Sequence, residues 1–530
     1  MMERLLAPAA RALPLAIGAL LLSPARASAT GFTDVGQDLK PRPATAVKVE
    51  GYFRTRGELL SNLDLDRGLS PSGQTLFPVP EGGGQNILFG DMRLRTDLAV
   101  YSLGGMVAVK ARIDVLDNVA WGGSPAGVPS ASTTQRTSRS DSFVLKRAYG
   151  EVALPIGVIA AGRMGAHWGL GMLANGGDCL DCDSGDAQDR IAYITPLAGH
   201  IWAAAYDHAW SGPTAGRRDG VRRIGVAPST QVHGVTFAFL KWNDTLAHDR
   251  RRTAGKITFN YGAYVAHRWQ GSDAPYEYLS IAQGARPTGS PIMARGFRAT
   301  AFDAWLRLVF PHGRIELEAA AMVGTVDQPS LVPGVRSNRP VTSTQIGLAV
   351  QTEIGAPLDP AGGGLDLGYA SGDSAYGFGA SNDPQLPTPA RGDLEGPQAN
   401  LPYDRTVDNF RFHPDYRIDR ILFRELIGTV TDAWYLRPHA RVDLLRLRTG
   451  RLQASVAGIA SWAIQATSTP SGKAPLGVEI DPTVSYVSHD GFTFALEYAA
   501  FFPGGAFDNP RAGLAARNAQ LFRVRLGLTF

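Results

Sequence analysis

Arginine recurs at alternate positions in widely separated stretches of this 530-residue chain: Arg54 and Arg56, Arg93 and Arg95, Arg523 and Arg525, with Arg112 beside them in pattern. Side chains two apart on an extended backbone point the same way, so each pair sets guanidinium groups in a row. Guanidinium is planar, permanently charged and forks onto carboxylates; a row lining water concentrates and binds anions. Glu50, Glu58, Asp91, Asp97 and Asp114 share the same stretches, so cross-strand ion pairing is the competing use. Arginine slightly outnumbers acid there, and the reading leans toward an anion-preferring wall. The other dense constellation is Asp178-Cys-Leu-Asp-Cys-Asp-Ser-Gly-Asp-Ala-Gln-Asp189. Asp181, Asp183 and Asp186 around Gly185 could supply oxygen ligands to Ca²⁺, although the spacing is not that of an EF-hand and the bidentate Glu is missing. A solvated acidic loop is the plainer reading. Cys179 and Cys182 are expected to close a local disulfide in an oxidising compartment. A redox C-x-x-C would need a helix start beside a βαβ unit, and zinc would need two further ligands.

These residues sit on segments of about ten residues that alternate apolar and polar. Met92, Leu94, Thr96, Leu98 and Val100 interleave with Asp91, Arg93, Arg95 and Asp97; the turn Ser102-Leu-Gly-Gly105 follows, then Val107, Val109, Ala111, Ile113 and Val115. That is a hairpin with one greasy and one charged face, turned by glycines that accept positive φ. It recurs around Pro311-His-Gly313 and His489-Asp-Gly491. The last ten residues alternate in the same way, Phe522, Val524, Leu526, Leu528 and Phe530 on one face, and end the chain on an aromatic. An exposed apolar edge strand in water invites aggregation, whereas a strand closing a transmembrane barrel turns its apolar face to lipid and its polar face to the lumen. The terminal Phe530 resembles the assembly signal read by the barrel-assembly machinery of bacterial outer membranes.

The fold class expected is therefore all-β, a closed antiparallel transmembrane β-barrel with long extracellular loops and short periplasmic turns. Strands should begin near residues 46, 90, 106, 142, 157, 189, 200, 230, 256, 297, 314, 343, 364, 433, 451, 475, 492 and 519, making about 18. One pair could be gained or lost across 211–255, which would leave 16. Long connections are expected at 61–89, 117–141, 170–188, 270–296, 327–342 and 372–430. A soluble sandwich or propeller is the alternative, but no blade-length repeat is present.

Arg4 and Arg11, the apolar run Leu13 to Leu22, and Ala27-Ser28-Ala29 read as a secretory signal peptide over residues 1–29, too short to span a bilayer. Residues 30–45 then form a periplasmic tail and 46–530 the barrel. Mean hydropathy is −0.08, as alternation cancels in any average. Net charge is +4; the leader holds three arginines and one glutamate, so +2 remains, which is no signature of nucleic-acid binding. Cations comprise 45 Arg and seven Lys, and two cysteines exclude a disulfide scaffold.

Gly162-Arg163, Trp168-Gly-Leu-Gly-Met172, the Asp-rich loop, Tyr369-Ala-Ser-Gly-Asp373, Phe412-His-Pro-Asp-Tyr416, Gly477-Val-Glu-Ile-Asp481 and Phe502-Pro-Gly504 resemble a family of outer-membrane barrels known mainly from myxobacteria. The Tyr-Ala-Ser-Gly-Asp and Val-Glu-Ile-Asp segments are also similar to alginate-export-type porins, 18-stranded barrels whose cationic lumen passes an anionic polysaccharide. That second resemblance implies a place near the pore for Arg163 and Asp373, and a constriction built from 372–430. Trp168, at a strand end, is expected to anchor at the membrane interface.

The function expected is a porin-like channel for a polar, anionic solute or polysaccharide, not an enzyme, with outer-membrane lipid and the solute as partners. The alternative is a plugged barrel serving as a surface adhesin or assembly partner through 372–430. A barrel hydrolase would need a Ser–His or Asp–His set at one rim; His200, His208, His312 and His489 have no serine paired by spacing. No cofactor is expected, calcium at the Asp-rich loop aside.

Overall fold

The computed structural model describes residues 31–36, 38–80, 84–121, 143–209, 228–243, 245–273, 293–329, 339–356, 359–380, 389–399, 401 and 403–530. The expected signal peptide, most of the 117–141 and 270–296 connections, and much of 211–255 lie outside them.

Eighteen strands follow one another along the chain. They are β1 (Ala46–Ser61), β2 (Asn86–Tyr101), β3 (Val107–Ala120), β4 (Phe143–Leu154), β5 (Gly157–Gly165), β6 (Ala187–Leu197), β7 (His200–Ala209), β8 (Val232–Lys241) and β9 (Thr258–Asp273). After them come β10 (Met293–Phe310), β11 (Gly313–Val326), β12 (Val341–Ile354), β13 (Ala361–Ala370), β14 (Ala433–Leu447), β15 (Gly450–Ala463), β16 (Pro475–Ser488), β17 (Phe492–Pro503) and β18 (Ala519–Thr529). A short helix, α1 (Thr245–Thr253), sits in the β8–β9 connection. Each strand pairs antiparallel with its neighbours in sequence, and β1 pairs with both β2 and β18. Closure leaves no open edge, which satisfies the backbone within a bilayer. At the seam the Phe530 N–H donates to the Gly51 carbonyl (3.0 Å), and the Gly51 N–H donates to that of Phe530 (2.9 Å).

Alternation divides the strands cleanly. Outward positions are apolar and exposed: Val47, Val49, Leu88, Phe237, Phe302, Ile346, Val478 and Phe522. Connections are short at one end of the barrel, as at 102–106, 198–199 and 448–449, and long at the other, as at 62–85 and 371–432. No helix among the described residues is long and apolar enough to cross a membrane; this barrel crosses with strands.

The lumen is packed rather than simply wet. The described residues of 371–432 fold into it and build a hydrophobic core there. Phe410, Phe412, Ile418, Ile421, Leu422, Phe423 and Val430 of the insert bury against Ala320, Ala349, Ala370, Ala433, Ala457, Ala499 and Ala519 of the wall. Small inward side chains make room: a Cβ on Gly347 would collide with the Phe410 ring, and one on Gly368 with Tyr435. Within the insert, a single π-helical turn, Leu422–Ile427, is held at its start by Glu479 of β16. Glu479 accepts the N–H groups of Arg420 (2.9 Å), Ile421 (2.8 Å) and Leu422 (2.8 Å).

For residues 31–36 of the expected 30–45 periplasmic tail the structure gives a correction, while Arg42 stays beside the short 102–105 turn, its carbonyl accepting the Gly104 N–H at 3.1 Å. Phe32 and Val35 are buried in a second apolar cluster with Ala160, Met164, Ala192 and Ala203 on inward positions of β5 to β7. The Gly31 N–H donates to the His167 carbonyl at 2.7 Å, and that of Gly36 to Glu151 at 3.1 Å. Phe and Val at those positions bury more apolar surface against the wall than in water. Trp168 is a second correction: it is 2% exposed, in the same interior cluster, and stacks edge-on against Tyr264 at 5.0 Å. It anchors nothing in lipid.

Candidate functional site: an arginine ladder closed by an acidic arm

Arg54 and Arg56 project inward from β1, Arg93 and Arg95 from β2, Arg112 from β3, and Arg523 and Arg525 from β18. The register sets Arg56 opposite both Asp91 and Arg525, and Glu58 opposite Arg523. All these arginines therefore share one wall. Arg54 and Arg93 are fully buried, because something lies on top of them.

What lies there is the β5–β6 connection, 166–186, which turns into the lumen. Cys179 and Cys182 are joined as a disulfide (Cα–Cα 5.1 Å). This small ring presents backbone carbonyls as well as carboxylates to the ladder. Arg54 donates to the carbonyls of Leu180 (3.1 Å) and Cys182 (2.9 Å), and Arg93 to those of Cys182 (2.8 Å) and Asp183 (2.5 Å). Asp181 pairs with Arg56 at 3.0 Å and with Arg424 at 2.5 Å. Asp183 pairs with Arg56 (2.7 Å), Arg54 (3.0 Å) and Arg417 (2.5 Å). Asp178 is gripped by Arg112 and by Arg147 at 3.0 Å. Leu180 lies against Gly527, where a Cβ would meet its side chain at 2.6 Å.

Wall carboxylates complete the network. Asp91 takes Arg56 at 2.7 Å, and Asp114 takes Arg95 at 2.7 Å. Asp97 takes Arg112 at 2.6 Å, Glu58 takes Arg523 at 2.6 Å, and Glu497 takes Arg525 at 2.8 Å. The two sequence readings of this wall, anion-binding row and ion-pair ladder, are therefore both present. Burial alone would push the Asp183 carboxyl up, but Arg417, Arg56, Arg424 and Arg54 outweigh it and hold it well below the usual carboxylate range. Asp181 is depressed in the same way by Arg424, Arg525, Arg523 and Arg417. Both are anions under ordinary conditions.

Calcium does not fit this geometry. Guanidinium groups occupy the oxygens of Asp181 and Asp183, while Asp186 lies apart, accepting the Asn175 N–H (3.2 Å) beside His413 (3.5 Å). Among the described residues no three carboxylate, His or Cys side chains converge as a metal site. Arg163 is also displaced from the pore: it faces outward from β5 and pairs with Asp189 at 2.7 Å, both about half exposed. Asp373 lies at the start of the lumen insert, accepting the N–H groups of Ala375 (2.9 Å) and Asp408 (2.9 Å).

Sequence reasoning missed Arg147, Asp415, Arg417 and Arg424. Asp415 orients the arm by accepting the N–H groups of Asp183 (2.7 Å) and Ser184 (2.9 Å). The signal was available in Phe410-Arg-Phe-His-Pro-Asp-Tyr-Arg-Ile-Asp-Arg-Ile-Leu-Phe-Arg424, which is far too apolar for a solvated loop.

No protein-family model matches the chain, and no curated protein matches it. Neither the myxobacterial-type family nor the alginate-export type gains support from a match. Among solved structures, the outer membrane protein opdK of Pseudomonas aeruginosa aligns at 10% identity and TM-score 0.45, over 92% of this chain and 98% of that one. The outer membrane channel DcaP of Acinetobacter baumannii aligns at 12% identity and TM-score 0.35, over 93% and 99%. OmpT, an outer membrane protein of Vibrio cholerae, aligns at 8% identity and TM-score 0.36, over 93% and 100%. The chain's own closure, register and apolar exterior make it an 18-stranded outer-membrane β-barrel.

Proposed function

We propose that the protein is an outer-membrane channel for a polar, anionic solute, with the arginine ladder as its solute-facing wall and the acidic arm as a built-in competitor for that wall. The observation that carries this reading is the seat of Asp181 and Asp183. Two carboxylates carried in by a connection, rather than by the wall, sit among Arg54, Arg56, Arg417 and Arg424. A solute bearing carboxylate or other anionic groups meets the same forked donors once the arm moves aside. Passage of an anionic polysaccharide, implied by the resemblance to alginate-export-type porins, is a narrower form of the same reading.

A second reading has its own support. The hydrophobic core between 371–432 and the wall alanines is of the kind that holds a plug in place, and a permanently plugged barrel would serve as a surface adhesin or assembly partner. Planar-bilayer recording across a salt gradient separates the two. Steady currents with an anion-leaning reversal potential, reduced when Arg54, Arg56, Arg523 and Arg525 are replaced by Gln, support the channel. A folded, inserted and silent protein supports the plug.

A further inference from the structure

The motif Trp168-Gly-Leu-Gly-Met172 serves no purpose in the ladder, yet its backbone is wrapped around a carboxylate. Glu318, fully buried on β11, accepts the N–H groups of Leu170 (2.5 Å), Met172 (3.3 Å) and Leu173 (3.3 Å). Successive N–H groups converging on one point form a nest that favours an anion. The glycines are what permit the wrap. Gly169 has φ +55° and a Cβ there would meet Glu318 Oε2 at 2.6 Å; Gly171 has φ +79°.

Asp303 on β10, 2% exposed, is the diagonal cross-strand neighbour of Glu318 on the same inner wall, and its carboxyl faces that of Glu318 and the indole N–H of Trp168. No Arg, Lys or His nitrogen of the described residues forms an ion pair with either carboxyl. The neighbouring charges are already used. Glu316 is taken by Arg314 at 3.0 Å and Trp305 Nε1 at 2.9 Å, with Arg307 at 3.6 Å, and Arg190 is taken by Asp207 at 2.5 Å. Tyr264, Arg268, Tyr416 and, through Met172, His413 complete the titratable and charged surroundings. The buried indole Nε1 of Trp168 faces the Asp303 carboxyl from the same side.

Two ionised carboxyls side by side in a dry site, with no cation, repel strongly, and such pairs hold one proton between them. We propose that Asp303 and Glu318 form a buried proton-binding site in which Glu318 is the anion held by the nest and Asp303 is the neutral acid whose O–H faces it. Three backbone N–H donors select Glu318 as the charged partner, against the single indole N–H that faces Asp303, which leaves Asp303 as the proton carrier. The bound proton keeps the 168–173 turn on the wall. That turn leads directly into the acidic arm, through the Asp186 N–H to Asn175 carbonyl bond (2.7 Å) and the Ala166 N–H to Asp186 carbonyl bond (3.0 Å). Loss of the proton to water in alkaline solution leaves two charges together and frees the turn. The pair holds its proton whether or not the barrel conducts.

Infrared difference spectroscopy on the intact, detergent-solubilised protein reads the site directly. The wild type minus Asp303→Asn spectrum is expected to contain a protonated-carboxyl C=O stretch that shifts when the wild type is labelled with carboxyl-¹³C aspartate. Hydrogen exchange at Leu170, Met172 and Leu173, corrected for intrinsic rates, is expected to accelerate at least tenfold in alkali for the wild type and to stay slow in Asp303→Asn. Absence of the band from the difference spectrum, or its failure to shift on labelling, would overturn the assignment; if Asp303→Asn does not fold, the absence of any label-sensitive protonated-carboxyl band in the wild type alone would overturn it too. Equal alkaline acceleration in both proteins would overturn the coupling to the turn.

Discussion

At the residue scale, each ladder arginine should be judged by what it holds. Arg56 contacts Asp91, Asp181 and Asp183 and is 4% exposed. Removing one partner of a buried network strands the others, at roughly 3–5 kcal/mol. Arg56→Gln should therefore lower the apparent stability of the folded barrel by about 3 kcal/mol in a urea titration of heat-modifiable gel mobility. Arg163→Gln, which breaks only an outward, half-exposed pair, should change it by less than about 1 kcal/mol. Equal effects would contradict the division between wall and exterior. Asp34 makes a pH prediction. Burial, reinforced by the charge of Asp178 and only partly offset by Arg147, Lys110 and Arg112, pushes its carboxyl up to about 6. An acid raised on folding contributes stability at low pH and loses it as pH rises through the folded value. The tail over 31–36 should thus exchange its amide hydrogens more slowly, after intrinsic correction, below about pH 5 than above about pH 7. Asp34→Asn should abolish that difference.

At the element scale, every strand was legible because period-two alternation leaves a one-residue slip no way to keep the apolar face in lipid. The strand starts at 46, 157, 200, 433, 475, 492 and 519 coincide with those expected, and the others differ by up to four residues. The N-terminal tail and the 371–432 insert were not legible, since neither has a period and both depend on contacts far apart in sequence. The clue lay on the strands instead. Ala320, Ala349, Ala457 and Ala499 occupy inward positions where a water-filled lumen calls for polar side chains, and alanine there means that something packs against it. The surroundings of the acidic loop were hidden for a related reason: composition showed the aspartates but not the arginines facing them. Gly347→Val tests the packing, because a side chain there takes the space of the Phe410 ring. Limited proteolysis should cut within 371–432 several-fold faster in the variant while the strands stay protected. Unchanged cleavage would show that the insert does not depend on that seat.

At the scale of the whole molecule, the barrel has an ionic side and an apolar side. β1, β2, β3 and β18 carry the arginine ladder and hold the disulfide-closed arm; β11 to β17 carry small residues and hold the hydrophobic insert. The two inserts meet where Arg417 and Arg424 of one reach Asp183 and Asp181 of the other. Displacing the arm would therefore break these ion pairs to the insert. The most direct measurement is single-channel conductance of the Asp181→Asn, Asp183→Asn double variant beside the wild type, in the same bilayer and salt gradient. Neutralising the arm should raise open-state conductance or open probability several-fold and shift the reversal potential further toward anions. Identical conductance and reversal potential in the two proteins, or a shift toward cations, would contradict a ladder that faces solute and an arm that competes for it.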